Sequence, residues 1–366
     1  MCANLQGSDA DVLSSFFEEW PKFDAQVGQS SYPQKTEKDV YFSSYEYIGI
    51  HEEMIKDSVR TGNSDISVLY KYFTGLYYKA IIDNQELFKD KVVMDVGCGT
   101  GILSMFCAKA GAKRVYAIDY SNIIQLAKNI TKTNGFSDKI IYIQNKVEDV
   151  QEITEKVDII VSEWMGYFLL YENMLASVLY ARDKWLKSGG LIFPDKARLF
   201  IAGIEDAEFK SEKFDGWEAT YGLDFSLMKN HLIEEALVDV VDEKSITTNA
   251  FCILDLDLMT CVPDDTDFCS SFSLVAQRKD YVHAFVFWFD VTFRACKKPL
   301  TLTTSPRSKY THWKQTVFYI EDNIAVNIND EISGMIAVRK NSKNPRDVDV
   351  KIGYQLNGSS SILAYK

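Results

Sequence analysis

The sequence predicts an α/β protein in two parts, a Rossmann-like doubly wound sheet followed by a β-barrel domain. An apolar run of strand length at 92–96 indicates the first part, because it ends in a loop with glycine at positions 97, 99 and 101. Residues 102–112 then carry apolar side chains at helical spacing, which completes the first strand–turn–helix unit of such a sheet. Ten short stretches of strand composition after Pro194, separated by turn signals, indicate the second part.

Composition excludes several functional classes. No apolar run among the 366 residues reaches the length of a membrane span, and the polar, acidic start does not predict a signal peptide. Seven cysteines, an odd number set mostly in apolar patterns, favour reduced thiols in an intracellular compartment. The net charge is −12 and no block of lysine and arginine with interleaved aromatics occurs, which disfavours nucleic-acid binding and favours a basic peptide as partner.

The glycine loop predicts a ligand site at the carboxyl edge of the sheet, where ligands of doubly wound sheets lie. A dinucleotide fingerprint would need glycine at position 102, where Ile102 stands, and no P-loop pattern occurs here. Asp119 ends the second predicted strand about 20 positions later, the offset of a carboxylate that binds ribose hydroxyls, and Glu148 follows the third strand. This set favours an adenosine-containing ligand without pyrophosphate, most commonly S-adenosylmethionine. The alternative is a packing turn in an ordinary α/β domain.

We expect a loosely ordered leader over residues 1–36, the Rossmann-like domain over 37–195 and the β-barrel domain over 196–366. A tyrosine-rich stretch before the first strand predicts a helix from about 67 to 82. Within the second domain, residues 207–229 are instead helical and aromatic. So many large apolar groups on a protruding segment predict an interface.

Glu163 and Glu172 form the chemically most informative pair, nine positions apart at the end of the fourth predicted strand. Paired carboxylates serve as acid and base in glycoside hydrolysis, as ligands of a hard cation, or as a clamp on a cationic substrate. Trp164, Met165 and Tyr167 supply no further metal ligands, and glycosidases do not use S-adenosylmethionine. A planar guanidinium matches two carboxylates well, which favours the clamp over two unrelated surface glutamates.

Six motifs in order resemble the type I protein arginine N-methyltransferase family, and the resemblance extends from about residue 40 to the C-terminus. They are YFSSY at 41–45, GIHEEM at 49–54, DVGCGTG at 95–101, SEWMGY at 162–167, YE at 171–172 and THW at 311–313. This resemblance implies a class I methyltransferase domain with N-terminal lid helices, a β-barrel substrate domain and a helical dimerisation arm at 207–229.

The resemblance also implies roles for individual residues near the substrate. Glu163 and Glu172 would hold the target guanidinium as the "double-E" pair, and His312 would form a hydrogen-bonded pair with Asp57. Two methionines would border the guanidinium and decide which nitrogen receives the second methyl group; these are Met54 and Met174.

At the cofactor, Asp119 would bind the ribose hydroxyls, Glu148 the adenine amino group and Arg60 the cofactor carboxylate. Tyr41 and Tyr45 would lie on a helix that folds over the cofactor. The remaining residues of the implied cofactor site are His51, Asp95, Gly97, Gly99 and Val147. No metal site is implied.

The implied activity is methyl transfer to protein arginines, giving mono- and asymmetric dimethylarginine, with histone tails and Gly/Arg-rich proteins as substrates. A homodimer located in nucleus and cytoplasm is implied as well. A catalytically impaired scaffold and a small-molecule methyltransferase are the alternatives. Two departures from the family pattern stand out: Asp119 replaces a glutamate, and residues 62–86 form a longer segment.

Overall fold

The computed structural model describes residues 73–356 and 359–365. None of the helices in this described part of the chain combines the length and the apolar character of a membrane span. The part implied by the resemblance to contain the lid helices, together with residues 62–72 of the tyrosine-rich segment, lies outside the described residues.

Five parallel strands form the sheet of the first domain. They are β1 (Val92–Val96), β2 (Arg114–Asp119), β3 (Ile140–Gln144), β4 (Val157–Val161) and β5 (Leu186–Phe193). Their order in the sheet is β3-β2-β1-β4-β5, so the winding reverses between β1 and β4. Every residue of β1 is buried, as expected for a central strand covered on both faces. The carboxyl ends of β1 and β4 therefore form the edge where a ligand site is expected.

Helices cover both faces of this sheet. They are α1 (Phe73–Ile82), α2 (Gln85–Phe88), α3 (Ile102–Lys109), α4 (Ile123–Thr133) and α5 (Met174–Trp185), and a 3₁₀ turn spans Val147–Asp149. In α4, Ile123, Ile124, Ala127 and Thr131 are buried, which is the spacing of one helix face. The strand–turn–helix unit predicted at the glycine loop is thus present as β1 and α3.

Ten strands form the described part of the second domain. They are β6 (Lys196–Ile204), β7 (Leu237–Asp239), β8 (Phe251–Asp257), β9 (Phe268–Val275), β10 (Asp280–Phe293), β11 (Leu300–Thr303), β12 (Gln315–Val326), β13 (Glu331–Lys340), β14 (Val348–Leu356) and β15 (Ser359–Tyr365). One antiparallel sheet has the order β7-β12-β10-β6-β8, with β11 paired to β10, and the other has the order β15-β14-β13-β9. Phe285 contacts Phe272 and Tyr354 edge-on, so aromatic rings from both sheets share one barrel-like core.

The arm leaves the barrel directly after β6. It consists of α6 (Ala207–Phe214), a 3₁₀ turn at Trp217–Ala219 and α7 (Leu227–Ile233), so the helical segment continues beyond residue 229. Phe209 and Phe214 pack against Tyr319 of β12 with ring centroids 5.7 and 5.2 Å apart, which fixes the base of the arm to the barrel.

One strand differs from the pattern that the sequence predicts. Residues 314–320 and 324–328 predict two strands, whereas β12 is one continuous strand from Gln315 to Val326. The polar residues bulge out of the ladder: β10 shifts register between Val282 and Ala284, opposite the exposed residues Glu321, Asp322 and Asn323. A bulge accommodates such residues without ending the strand. The short strand β7 was not predicted.

Candidate active site

The loop between β1 and α3 presents bare backbone at the switch point of the sheet. Gly97, Gly99 and Gly101 have φ of 73°, 50° and 81°, a region that other residues rarely adopt. A Cβ atom at Gly97 would also overlap the Cε of Met174, and one at Gly101 would overlap the hydroxyl of Tyr142. The positive φ therefore favours glycine at these two positions, and a side chain there would also displace Met174, at the start of α5, or Tyr142.

Asp95, at the end of β1, is a fully buried carboxylate beneath this loop. Ser104 of α3 donates a hydrogen bond of 2.5 Å to its Oδ2, whereas Oδ1 has no partner among the described residues. Burial raises the pKa of Asp95 to about 7, and the nearby charge of Asp119 acts in the same direction. A buried carboxylate oxygen without a hydrogen-bond partner is unfavourable, which explains why the neutral form of Asp95 is stabilised.

Asp119, at the end of β2, is bonded to the glycine loop. Its Oδ2 accepts from the Gly99 N–H at 2.8 Å, and its Oδ1 accepts from the N–H and the hydroxyl of Ser121 at 2.9 and 2.7 Å. A carboxylate offers roughly four acceptor positions, so three donors leave room for a further one. Asp119 remains partly exposed and is oriented with the loop as one unit.

Glu148 lies in the 3₁₀ turn after β3 and is oriented by α5. The Ser177 hydroxyl donates to Glu148 Oε1 at 2.6 Å, and the Tyr180 hydroxyl donates to the Glu148 carbonyl at 3.0 Å. Val147 beside it is buried. Because Met174 starts the same helix that carries Ser177, α5 connects the acidic turn to the glycine loop.

Glu163 follows β4 directly and carries the second strongly perturbed carboxyl group of this edge. Burial raises its pKa to about 7; His312 acts to lower this pKa, and Glu172 acts to raise it further. Glu163 Oε1 is buried without a hydrogen-bond partner among the described residues. The structure thus brings Glu163, Glu172 and His312 close enough for their charges to interact, as a cation clamp requires.

Three hydrogen bonds fix the backbone on both sides of Glu163. The Tyr77 hydroxyl of α1 donates to the Ser162 carbonyl at 2.9 Å, and the Ser162 hydroxyl donates to the Val96 carbonyl at 2.7 Å. The Trp313 indole N–H donates to the Met165 carbonyl at 2.7 Å. The first helix, the central strand and the barrel therefore all contribute to the position of Glu163.

Glu172 lies at the end of a tight loop. Glu172 and the next residue, Asn173, have φ of 74° and 52°, in the left-handed region that non-glycine residues rarely adopt. The loop before them is closely packed, since a Cβ atom at Gly166 would overlap the Tyr171 carbonyl. Backbone outliers of this kind concentrate at functional sites when the surrounding structure holds them.

Known proteins match the chain over nearly nine-tenths of its length. Protein arginine N-methyltransferase 1 of Schizosaccharomyces pombe is 52% identical over 322 residues, covering 88% of this chain and 91% of its own. The protein of the same name from Oryza sativa subsp. indica is 51% identical over 324 residues, covering 88% of this chain and 80% of its own. This chain belongs to the protein arginine N-methyltransferase family.

Family profiles and a solved structure agree with this membership. The arginine methyltransferase oligomerization subdomain matches residues 195–360, and the ribosomal protein L11 methyltransferase (PrmA) profile matches residues 79–212. The Trypanosoma brucei PRMT1 enzyme–prozyme heterotetrameric complex with AdoHcy superposes with a TM-score of 0.82 at 41% identity. The match covers 88% of this chain and all of that one. The predicted fold class, a methyltransferase domain followed by a barrel-like oligomerization domain, is confirmed.

Several residues assigned by family resemblance fall outside the described part of the chain. They are Tyr41, Tyr45, His51, Met54, Asp57 and Arg60. The described residues of the set follow β1, β2, β3 and β4 at one edge of the first sheet, except for His312, which belongs to the second domain. In the described ranges, no cluster of three His, Cys, Asp or Glu residues forms a candidate metal site.

Sequence reasoning missed the residues of this arginine methyltransferase that hold the predicted ones in place. Tyr77 and Ser177 contact the site through hydrogen bonds to Ser162 and Glu148, which lie 85 and 29 positions away. The tyrosine-rich composition of residues 62–86 drew attention to the segment around Tyr77, but nothing local to either residue indicates its partner.

Proposed function

We propose that this chain transfers methyl groups from S-adenosylmethionine to guanidinium nitrogens of protein arginines, giving mono- and then asymmetric dimethylarginine as a type I enzyme. The observation that carries the proposal is Glu163, a carboxylate with a buried, unpartnered oxygen that is electrostatically coupled to Glu172 and His312. Because the chain belongs to the protein arginine N-methyltransferase family, we infer that the cation bound by Glu163 and Glu172 is an arginine guanidinium.

Two carboxylates address the main chemical difficulty of the substrate. A guanidinium remains protonated in water because its pKa exceeds about 12, so its nitrogens are poor nucleophiles. Glu163 and Glu172 can accept its N–H donors, fix its plane and draw positive charge away from the nitrogen that reacts. The gain comes from orientation and from electrostatic complementarity in a desolvated site.

The protonation state of Glu163 should change when the substrate binds. In the free protein its pKa of about 7 leaves the carboxyl group partly protonated near neutrality. An arriving guanidinium favours the ionised form, so binding releases a proton from the site. His312 contributes favourably to the same ionised state.

The described residues also fit S-adenosylmethionine. The unpartnered Asp95 Oδ1 beneath the glycine loop suits a ligand with a cationic amino-acid end, Asp119 retains room for a ribose hydroxyl, and Glu148 is available to an adenine amino group. When bound there, the cofactor supplies an electrophilic methyl group on a sulfonium. Gly97 contributes no side chain at this edge, and the flexible Met174 side chain lies against it.

Asymmetric dimethylation requires space beside a nitrogen that already carries one methyl group. Met174 is unbranched and adaptable, and it lies against the glycine loop rather than deep in a packed core. This supports a site in which a monomethylated nitrogen returns for a second transfer. Met54 would complete this wall.

For substrates, we propose basic segments such as histone tails and Gly/Arg-rich proteins, which are attracted to a chain of net charge −12. From these substrates we also propose that the chain acts in the nucleus and the cytoplasm. Fractionation of cells that express the tagged chain would test this localisation.

The chain is also proposed to form a homodimer through its arm. The tip exposes a group of large apolar side chains, whereas the base packs on the barrel. The exposed residues are Tyr221, Leu223, Phe225, Leu227 and Met228. Exposed apolar groups clustered in this way mark an interface. Replacing residues 207–233 with a Gly/Ser linker should give a monomer of low activity, and light scattering that still shows a dimer would refute the role of the arm.

The decisive experiment is methylation of a Gly/Arg-rich peptide with labelled S-adenosylmethionine, followed by hydrolysis and separation of methylarginines. Wild-type protein should give monomethyl and asymmetric dimethylarginine. Glu172→Gln keeps the shape of the side chain but removes one charge, so turnover should collapse while cofactor affinity stays unchanged. Wild-type protein that binds the peptide without transfer would support the scaffold alternative, and label only on small molecules would support a small-molecule methyltransferase.

A further inference from the structure

A loop of the barrel forms two hydrogen bonds with the backbone of Glu172, one with its N–H and one with its carbonyl. The Glu172 N–H donates to the Arg346 carbonyl at 2.7 Å, and Arg346 Nη1 donates back to the Glu172 carbonyl at 2.9 Å. The two residues are 174 positions apart, and this reciprocal pair connects the second domain to the carboxylate clamp.

These two hydrogen bonds are made where the backbone of the loop is left-handed. Left-handed backbone is energetically unfavourable for a non-glycine residue, and Glu172 and Asn173 adopt it consecutively. A hydrogen bond from a charged group contributes more than a neutral one, so the Arg346 side chain is well suited to hold this conformation.

The loop that carries Arg346 has several hydrogen bonds of its own. Asn341 accepts from the N–H groups of Lys343 and Asn344, and Asn344 is bonded to Asp347 through both backbone and side chain. Arg346 is half-buried at the end of this turn. Its donor is therefore presented to Glu172 from a preformed support.

We propose that Arg346 is a positioning residue for the second carboxylate of the clamp. By holding Glu172 in its left-handed conformation, Arg346 sets the separation of the Glu172 and Glu163 carboxylates and so the plane in which the guanidinium is bound. Arg346 does not itself touch the substrate. The inference rests on the proposed arginine methylation but makes the barrel a contributor to catalysis as well as to assembly.

The test compares Arg346→Met, which removes the donor, with Arg346→Lys, which retains one. Lys343→Met is the matched control, because it removes one exposed positive charge from the same loop. With peptide substrate, kcat should fall at least tenfold in Arg346→Met, and Arg346→Lys should recover part of it. The KM for S-adenosylmethionine and the melting temperature should change little, and the control should behave as wild type.

A second measurement needs neither activity nor ligand. Hydrogen exchange of the peptide around residues 166–174 in the free protein should be about tenfold faster in Arg346→Met than in Arg346→Lys or the control. Unchanged exchange, or Arg346→Lys as impaired as Arg346→Met, would overturn the positioning role. If exchange is faster in Arg346→Met but the wild-type protein methylates no arginine, the positioning of Glu172 by Arg346 stands. The proposed function is then refuted instead.

Discussion

Without cofactor or peptide, Glu163→Gln should become more stable relative to wild type as the pH rises. In the folded chain burial raises the pKa of this carboxyl group from the ordinary 4.5 to about 7. The folded state therefore binds the Glu163 proton more tightly than the unfolded state, and wild type has the full benefit below pH 4.5. That benefit is lost as pH rises through 7, because a charge must then be held in a buried position.

The size of the effect follows from this pKa difference. A change from 4.5 to about 7 corresponds to at most about 3.4 kcal/mol in the free energy of unfolding, and partial solvent access reduces this to about 2 kcal/mol. Glu163→Gln lacks the titration, so its stability minus that of wild type should increase by about 2 kcal/mol between pH 5 and pH 8. Any fixed cost of the buried amide cancels in this comparison across pH.

The measurement is urea unfolding of both proteins at several pH values, without cofactor or peptide and at one protein concentration. Glu152→Gln is the control: this exposed carboxylate accepts from the Gln151 N–H, which lowers its pKa, so its removal should give no gain at high pH. If the stability difference between Glu163→Gln and wild type is flat from pH 5 to 8, Glu163 is already ionised in the free protein. The proposed proton release on substrate binding would then be wrong.

Three further substitutions test the positions of individual groups. Asp119→Ala removes the acceptor bonded to Gly99 and should weaken S-adenosylmethionine binding by about 1.5–3 kcal/mol; unchanged affinity in calorimetric titration would place the ribose contact elsewhere. Ser177→Ala frees Glu148 and should raise the cofactor Kd a few-fold, about 0.5–1 kcal/mol, with the affinity for arginine peptide unaltered. Trp313→Phe leaves a buried carbonyl unpaired and should lower the free energy of unfolding by about 1–3 kcal/mol and reduce kcat; wild-type values for both would show that the indole bond does not support the site.

The first domain was predictable because its signals are local. The run at 92–96 and the glycines at 97, 99 and 101 follow one another in the chain, and their structure is a strand and a loop with positive φ. Asp119 was predictable for the same reason, since strand length and connection length determine where β2 ends. Even so, its bonds to Gly99 and Ser121 required the folded chain, because sequence does not say which acceptor positions are already used.

The supports of the site were not predictable, because each depends on the packing of distant elements. Arg346 meets Glu172 across 174 positions, and Tyr77 meets Ser162 across 85. Neither pair has a periodic or spaced pattern that composition can detect. The sequence did not predict β12 as one continuous strand for a related reason. The polar residues within it resemble a turn, and only the pairing with β10 shows that they form a bulge.

Two carboxylates at this edge, Asp95 and Glu163, share the same unusual state. Each has a buried oxygen without a partner among the described residues, and each has a pKa of about 7 that burial raises and a second carboxylate raises further. Unpaired buried acids destabilise a fold unless a ligand neutralises them. Asp95 lies under the glycine loop, and the charges of Glu172 and His312 act on Glu163, so the two buried acids belong to different parts of the same edge. Under the proposed function, we expect the cationic end of the cofactor to compensate one of these carboxylates and the substrate guanidinium to compensate the other. The free energy that burial of each carboxylate costs the fold would then be recovered when its ligand binds.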